Sequence, residues 1–97
     1  MFEKKKKLEL NSEELRIIAH SLNDFRNHLL SEDNLVDPIN EVLTKLKGKM
    51  KVTKSNLGVM INSLDYSRKV MINNNQDTLE TDNLILKLVD IYEILEK

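Results

Sequence analysis

The apolar residues of this chain repeat one pattern twice. Each copy opens with a short alternating stretch, KLEL at 7–10 and KMKV at 49–52, which predicts a half-buried strand because every second side chain points to the same side. In the longer stretch that follows, apolar residues recur every three or four positions, which predicts an amphipathic helix. The helical stripe consists of Leu15, Ile18, Leu22, Phe25 and Leu29 in the first copy and of Leu57, Met60, Leu64 and Met71 in the second.

Capping residues predict where the first helix of each copy begins. Asn11 or Ser12 caps the helix of the first copy, and Asn11 with Glu14 has the spacing of a capping box. Thr53 or Ser55 begins the corresponding helix of the second copy.

A second helix is predicted in each copy after a polar break. In the first copy Asp37 is a good cap and Pro38 suits the first helical position, while Gly48 is a natural stop. In the second copy Asp77 and Glu80 have capping-box spacing. The chain therefore reads as strand, helix, helix, twice.

The two copies align when the chain is shifted by 42 positions without a gap, which pairs residues 8–46 with residues 50–88. The identical pairs are Leu15/Leu57, Ser21/Ser63, Leu22/Leu64, Arg26/Arg68, Lys45/Lys87 and Leu46/Leu88. Self-similarity at a fixed period indicates one supersecondary unit used twice. We therefore predict a single domain, 1–97, built of two repeats, 8–48 and 50–97.

The predicted fold is mainly α, with four helices related by a pseudo-two-fold axis. Two short strands cannot form a stable sheet alone. If they pair, they form a short antiparallel ribbon that rests on the helices; if they do not, the protein is a four-helix bundle.

The last helix, about Leu79 to Leu95, is apolar on more than one face. Such a helix lies centrally in a core or packs against another chain. We expect both here, with one side in the core and the other against a partner protein or a second copy in a homodimer. The residues predicted for this interface are Leu84, Leu88, Ile91, Tyr92, Ile94 and Leu95.

Composition narrows the classes of protein. The 97 residues are 40% apolar with few aromatics, which predicts one aliphatic core. The absence of Cys excludes a disulfide framework, a thiolate zinc site and a cysteine nucleophile, and agrees with a reducing compartment. The N-terminal MFEKKKK lacks the apolar run of a signal peptide, and no run reaches the ~18 apolar residues that span a bilayer. We expect a cytoplasmic protein with no membrane partner.

Catalytic signatures do not stand out. No Gly-rich phosphate loop, Ser-His-Asp set or isolated carboxylate pair can be identified, so we predict no enzyme, no cofactor and no small-molecule ligand. His20, Asp24 and His28 share one helical face at a spacing that suits a divalent metal. The other copy has Asn62, Tyr66 and Val70 at these positions, which argues against a metal site.

Lysines are concentrated in the two equivalent segments that lead into the first helix of each copy: Lys4, Lys5, Lys6, Lys7, Lys45, Lys47, Lys49, Lys51 and Lys54. Paired strands would display them as one basic ribbon, although the net charge is -1. Such a ribbon is an electrostatic footprint for nucleic acid or for an acidic partner. Alternatively, the lysines protect edge strands from aggregation.

The segments KKLELNSEEL and KMKVTKSNL, each a short strand before two helices, resemble the ribbon-helix-helix DNA-binding unit, here as two units fused in one chain. The resemblance implies that the ribbon enters the major groove. The residues it turns toward the bases are Lys7, Glu9, Asn11, Lys49, Lys51 and Thr53. In style, NSEELxxIxxSLNDFR and DPINEVLTKL are also similar to small helical proteins of low-GC Gram-positive bacteria and their phages, which implies no activity.

The leading functional hypothesis from the sequence is a small protein-protein interaction module, in the manner of a phage or mobile-element regulator or inhibitor that docks on another protein. The alternative is a DNA-binding regulator that uses the basic ribbon through Lys7, Lys49, Lys51 and Thr53.

Overall fold

The computed structural model describes residues 3–97 and shows four helices and a two-stranded antiparallel sheet within them. In chain order these are β1 (Lys5–Glu9), α1 (Ser12–Ser31), α2 (Asp37–Lys45), β2 (Lys49–Thr53), α3 (Lys54–Asn73) and α4 (Leu79–Glu96). The predicted mainly helical fold with a short ribbon is confirmed, and the alternative of a bundle with unpaired strands is wrong.

The ribbon, β1 with β2, has five residue pairs from Lys5/Thr53 to Glu9/Lys49, and Leu8 lies opposite Met50. These two side chains and Val52 point inward and are buried in the core, because alternate residues of a strand face opposite sides. The pairing continues past the strands, where Leu10 N–H donates to the carbonyl of Gly48 at 2.7 Å. A Cβ on Gly48 would lie 3.3 Å from the Leu10 carbonyl oxygen. Gly48 therefore permits a close backbone approach; it does not end α2, which stops three residues earlier.

A capping box begins each of the two 20-residue helices, α1 and α3. The Asn11 side chain accepts from Glu14 N–H at 2.8 Å, and Glu14 accepts from Asn11 N–H at 3.0 Å. Thr53 and Asn56 make the same reciprocal pair at 3.1 and 3.0 Å. The predicted Asn11 box is confirmed, and Thr53, not Ser55, caps α3.

The second helices begin differently from the prediction. The N-cap of α2 is Val36, so Asp37 is already helical, with Pro38 beside it in the first turn. The N-cap of α4 is Thr78, and the Asp77 carboxylate accepts from Leu79 N–H at 3.0 Å. Asp37 therefore makes no cap for α2, and Asp77 bonds the start of α4 from the residue before its N-cap, so the predicted Asp77/Glu80 capping box is not formed.

The turns that follow α1 and α3 match each other closely. Asp33 and Asn75 both have φ of 58°, a left-handed conformation that Asp and Asn tolerate better than most residues. The following N–H groups, of Asn34 and Gln76, donate to carbonyls in the last helical turn at 2.9 and 2.8 Å. These features are 42 residues apart and support the duplication; the two-fold relation of the halves stays a prediction.

The core lies between the inner face of the ribbon and the helices. Its fully or nearly fully buried apolar side chains are Leu8, Leu10, Ile18, Leu22, Ile39, Val42, Met50, Val52, Leu57, Met60, Leu64, Leu84 and Leu88. All six elements contribute to it, so the ribbon is packed on one face and exposed on the other.

Candidate functional site

The outward side of the ribbon carries four exposed lysines, Lys5, Lys7, Lys49 and Lys51, which we call the lysine face. Lys7 stands directly opposite Lys51 in the ladder. Like charges opposite each other do not stabilise a strand pair, so this pairing does not help the ribbon to form. The predicted basic ribbon is therefore present, with Lys7, Lys49 and Lys51 where the sequence placed them.

Thr53 does not belong to this exposed row. It lies opposite Lys5, but it is only 9% exposed because its hydroxyl caps α3. The resemblance to the ribbon-helix-helix unit also implied that Asn11 faces the bases. In the structure its amide oxygen accepts a hydrogen bond from Glu14 N–H and caps α1. The prediction that Thr53 would contact nucleic acid is wrong, because the structure uses that side chain to begin a helix.

The charge is uneven along the ribbon. Glu9 is exposed, lies opposite Lys49 and sits 3.3 Å from the Lys7 ammonium. At the Lys5 end the paired residues contain no carboxylate, whereas the other end contains Glu9. Lys47, which the sequence pattern did not single out as a site residue, extends the lysine face, and together with Lys7, Lys49 and Lys51 it lines a shallow depression of about 380 Å³ around Met50.

Lys87, which lies outside the lysine face, anchors the ribbon to α1. Lys87 Nζ lies 3.0 and 3.1 Å from the Glu14 carboxylate oxygens and 2.7 Å from the Glu9 carbonyl. Burial alone would raise the pKa of Glu14, but hydrogen bonds from Asn11 N–H and Lys87 outweigh it and hold that pKa below its ordinary value. Lys45, 42 positions before Lys87, lies 2.9 Å from the amide oxygen of Asn56 and ties α2 to α3.

The predicted α4 interface is partly inside the protein. Leu84 is 2% exposed and Leu88 is fully buried, so their assignment to a partner surface is wrong. They share with Ile91, Tyr92 and Leu95 the side of α4 that packs on the core, because residues three and four apart lie on one helical face.

The apolar side chains that α4 leaves to solvent differ from the prediction. Ile94 is 52% exposed, and Leu79 and Leu86, which were not among the predicted interface residues, are 61% and 62% exposed. Tyr92 already has an intramolecular neighbour, since Lys54 Nζ lies 5.2 Å from its ring centroid. The same ammonium is 3.3 Å from Glu96 and ties the end of α4 to the start of α3.

The histidines do not converge on a metal. His20 Nε2 pairs with Asp24 at 3.1 Å, and His28 Nε2 pairs with Glu32 at 3.1 Å. His28 also stacks on Tyr66, with ring centroids 4.8 Å apart. Within residues 3–97 no group of three His, Cys, Asp or Glu side chains has the arrangement of a metal site.

A cavity between α1, α3 and the start of α4 was not foreseen from the sequence. It measures about 370 Å³ and contains the hydroxyls of Ser21, Ser67 and Thr81 in its lining. Its sequence signal is the exchange of Phe25 in the first copy for Ser67 in the second.

No helix in the described part of the chain has both the length and the apolar character needed to cross a bilayer. Comparison with protein-family models, curated proteins and solved structures finds no match to this chain.

Proposed function

We propose that this protein binds double-stranded DNA by placing the lysine face of its ribbon in the major groove. The observation that carries the proposal is the ribbon itself: one side is fixed on the core by Leu8, Met50 and Val52, and the other presents four exposed lysines. A two-stranded ribbon fits the major groove, which is about 12 Å wide.

The anchoring of the ribbon supports this function. Lys87 holds the Glu9 end to α1, and the capping threonine Thr53 joins β2 directly to α3. A ribbon fixed at both ends presents its lysines with little loss of backbone freedom on binding, which favours affinity. The position of Glu9 beside Lys49 adds an acceptor, and a carboxylate in the major groove accepts from the amino group of cytosine.

The net charge of -1 does not oppose the proposal, because the charges are unevenly placed. Four lysines and one glutamate make up the outward face of the ribbon, whereas carboxylates such as Glu13, Asp65 and Asp82 lie on helices and are paired there with Arg16, Lys69 and Arg68. The phosphates of an approaching DNA duplex experience the positive local field of the lysine face, which the net charge of the whole chain does not describe.

The test is a salt titration. Binding of short duplexes, measured by fluorescence anisotropy from ~50 to ~200 mM salt, is expected to weaken linearly on a log-log plot, because each phosphate contact releases counterions. The double variant Lys7→Gln with Lys51→Gln removes the central opposed pair. We expect weaker binding to all sequences and a salt slope reduced by about 2.

The matched control is Lys69→Gln with Lys97→Gln, which changes the net charge equally and leaves the ribbon intact. Absence of binding at ~50 mM salt, or equal binding by the two double variants, would reject DNA binding. The lysines would then be explained by protection of the ribbon against aggregation, measurable as self-association of the Lys7/Lys51 variant.

A second candidate, a protein-docking module, is favoured by the exposed Leu86 and Ile94 on α4. This is the leading hypothesis from the sequence, and burial of Leu84 and Leu88 removes much of its support. Light scattering after size exclusion tests for a homodimer: Ile94→Asp should dissociate it, and a wild-type monomer at high concentration would leave only a different protein as partner.

A further inference from the structure

The cavity of about 370 Å³ lies where α1 and α3 meet the first turn of α4. Its walls include Ile17, Met71 and Leu79, and its polar groups are mainly hydroxyls and carboxylates. The volume is at the lower end of the range for small-molecule sites, roughly 300 to 1,000 Å³. The space is therefore suited to a ligand with about one ring.

Buried hydroxyls line the cavity. Ser21 and Thr81 are each 2% exposed and Ser67 is 7% exposed. Ser67 Oγ donates to Ser21 Oγ at 2.9 Å, so Ser21 acts as the acceptor in this pair and keeps a proton of its own to donate. This pair closes the inner wall of the cavity.

The difference between the two copies accounts for the space. Ser67 follows Phe25 by 42 positions. The Phe25 ring packs against the core and lies 5.4 Å from Tyr66, centroid to centroid. At the equivalent place in the second copy a hydroxymethyl group replaces the benzyl group, so the volume of a ring is left open. An unfilled cavity costs stability, and an aromatic guest would restore the missing contacts.

The charge at the cavity mouth is negative. Asp77 and Glu80 line it, and neither forms an ion pair within 4 Å among residues 3–97. Arg16 also lines the cavity, but its guanidinium is bound by Glu13. The Arg16 charge is therefore engaged by Glu13, whereas Asp77 and Glu80 leave two carboxylates at the mouth without an ion pair in the described part of the chain. His20, the remaining basic group, is paired with Asp24.

We propose that this cavity binds a small aromatic amine, with the ring between Ile17 and Met71 in the space that Ser67 leaves and the ammonium at Asp77 and Glu80. The site is separate from the lysine face and does not depend on DNA binding.

The test is a titration of the isotope-labelled protein with 2-phenylethylamine, followed by amide chemical shifts, with phenylacetate as a probe of the same shape and opposite charge. We expect saturable shifts that centre on Ser21, Ser67 and Thr81, and an affinity for the amine at least ~10-fold higher than for the acid. Ser67→Phe should fill the space and abolish binding. Asp77→Asn with Glu80→Gln should weaken amine binding at least ~10-fold while the fold is retained.

The matched control is Asp90→Asn with Glu93→Gln, which makes the same charge change on α4 outside the cavity and should bind the amine like the wild type. If Ser67→Phe does not fold, Thr81→Val serves as the second cavity variant. Equal binding of phenylacetate, unchanged binding by Ser67→Phe or by the Asp77/Glu80 variant, or no saturation up to ~10 mM amine would overturn the proposal. A more stable Ser67→Phe protein together with no wild-type binding would identify the cavity as a packing defect.

Discussion

The two halves of the chain, residues 5–45 and 49–96, use the same local devices but end differently. Both have a five-residue strand, a capping box and a helix of 20 residues. Each also has one residue in the left-handed conformation, and these two residues are 42 positions apart. The second helix, however, has 9 residues in the first half and 18 in the second. After Lys45 the chain must turn into β2, whereas α4 is free to continue across α3 and β1.

This difference in the length of the second helix determines how deeply equivalent residues are buried. Leu46 and Leu88 are the same residue 42 positions apart, yet Leu46 is the half-buried C-cap of α2 while Leu88 is fully buried in mid-helix. The same residue at equivalent positions thus has different burial, because burial depends on the elements that cover a position. Substitutions at equivalent positions measure how much the two halves differ.

The largest difference is expected at this leucine pair. Leu88→Ala should lower the free energy of unfolding by about 2 to 5 kcal/mol, because it leaves a cavity in the core. Leu46→Ala should cost less than about half of that, since part of its side chain already meets solvent. Urea denaturation measures both. Equal losses would mean that α2 is covered as completely as α4.

A smaller difference is expected at the equivalent lysines. Lys87 bonds the Glu14 carboxylate with 24% of that side chain exposed, whereas Lys45 bonds the neutral Asn56 amide. We expect Lys87→Ala to cost about 1 kcal/mol and Lys45→Ala about 0.5, because charged acceptors strengthen a hydrogen bond while solvent screens it. Lys69→Ala, on the exposed side of α3, is the control for a surface lysine. A larger loss for Lys45 would reverse the comparison.

Acid should remove the Lys87 contribution. The pKa of Glu14 lies below the ordinary value of 4.5 in the folded protein, so its stabilising effect is complete above that value and is lost as pH falls through the lower folded value. The stability gap between wild type and Lys87→Ala should therefore shrink from neutral pH to pH ~3. Glu93→Gln is the control carboxyl variant on an exposed part of α4. A gap that stays constant would show that Lys87 acts through the Glu9 carbonyl instead.

The smallest effect is expected at the arginine pair. Arg68 Nε bonds Asp82 at 2.6 Å, and Arg26 Nε bonds Asn40 at 2.7 Å. The Thr78 hydroxyl, and then Arg68, lower the pKa of Asp82. Asp82→Asn makes the second half like the first and should lower the melting temperature by less than about 4 °C at low salt. The shift should vanish at high salt, since exposed pairs are screened. A salt-independent shift would indicate a packing role.

The sequence predicted the elements well because their signals are local. Alternation at KLEL and KMKV, the Asn11/Glu14 box and the leucine stripes depend on neighbours within a few positions. The lysine face was predicted for the same reason: alternation assigns Lys7, Lys49 and Lys51 to the side opposite the apolar residues. Thr53 fits the same alternation, but its position at the junction of strand and helix gave it a capping role.

The sequence by itself determined the order of the elements, the inward and outward sides of the ribbon and the repeat of 42 residues. Only the tertiary structure decided that Leu84 and Leu88 are core residues, because the sequence of a helix that is apolar on several faces does not show which face another element will cover. The cavity at Ser67 was decided in the same way, since it depends on how far α1, α3 and α4 approach each other. Periodicity assigns side chains to faces; burial follows from the packing of those faces.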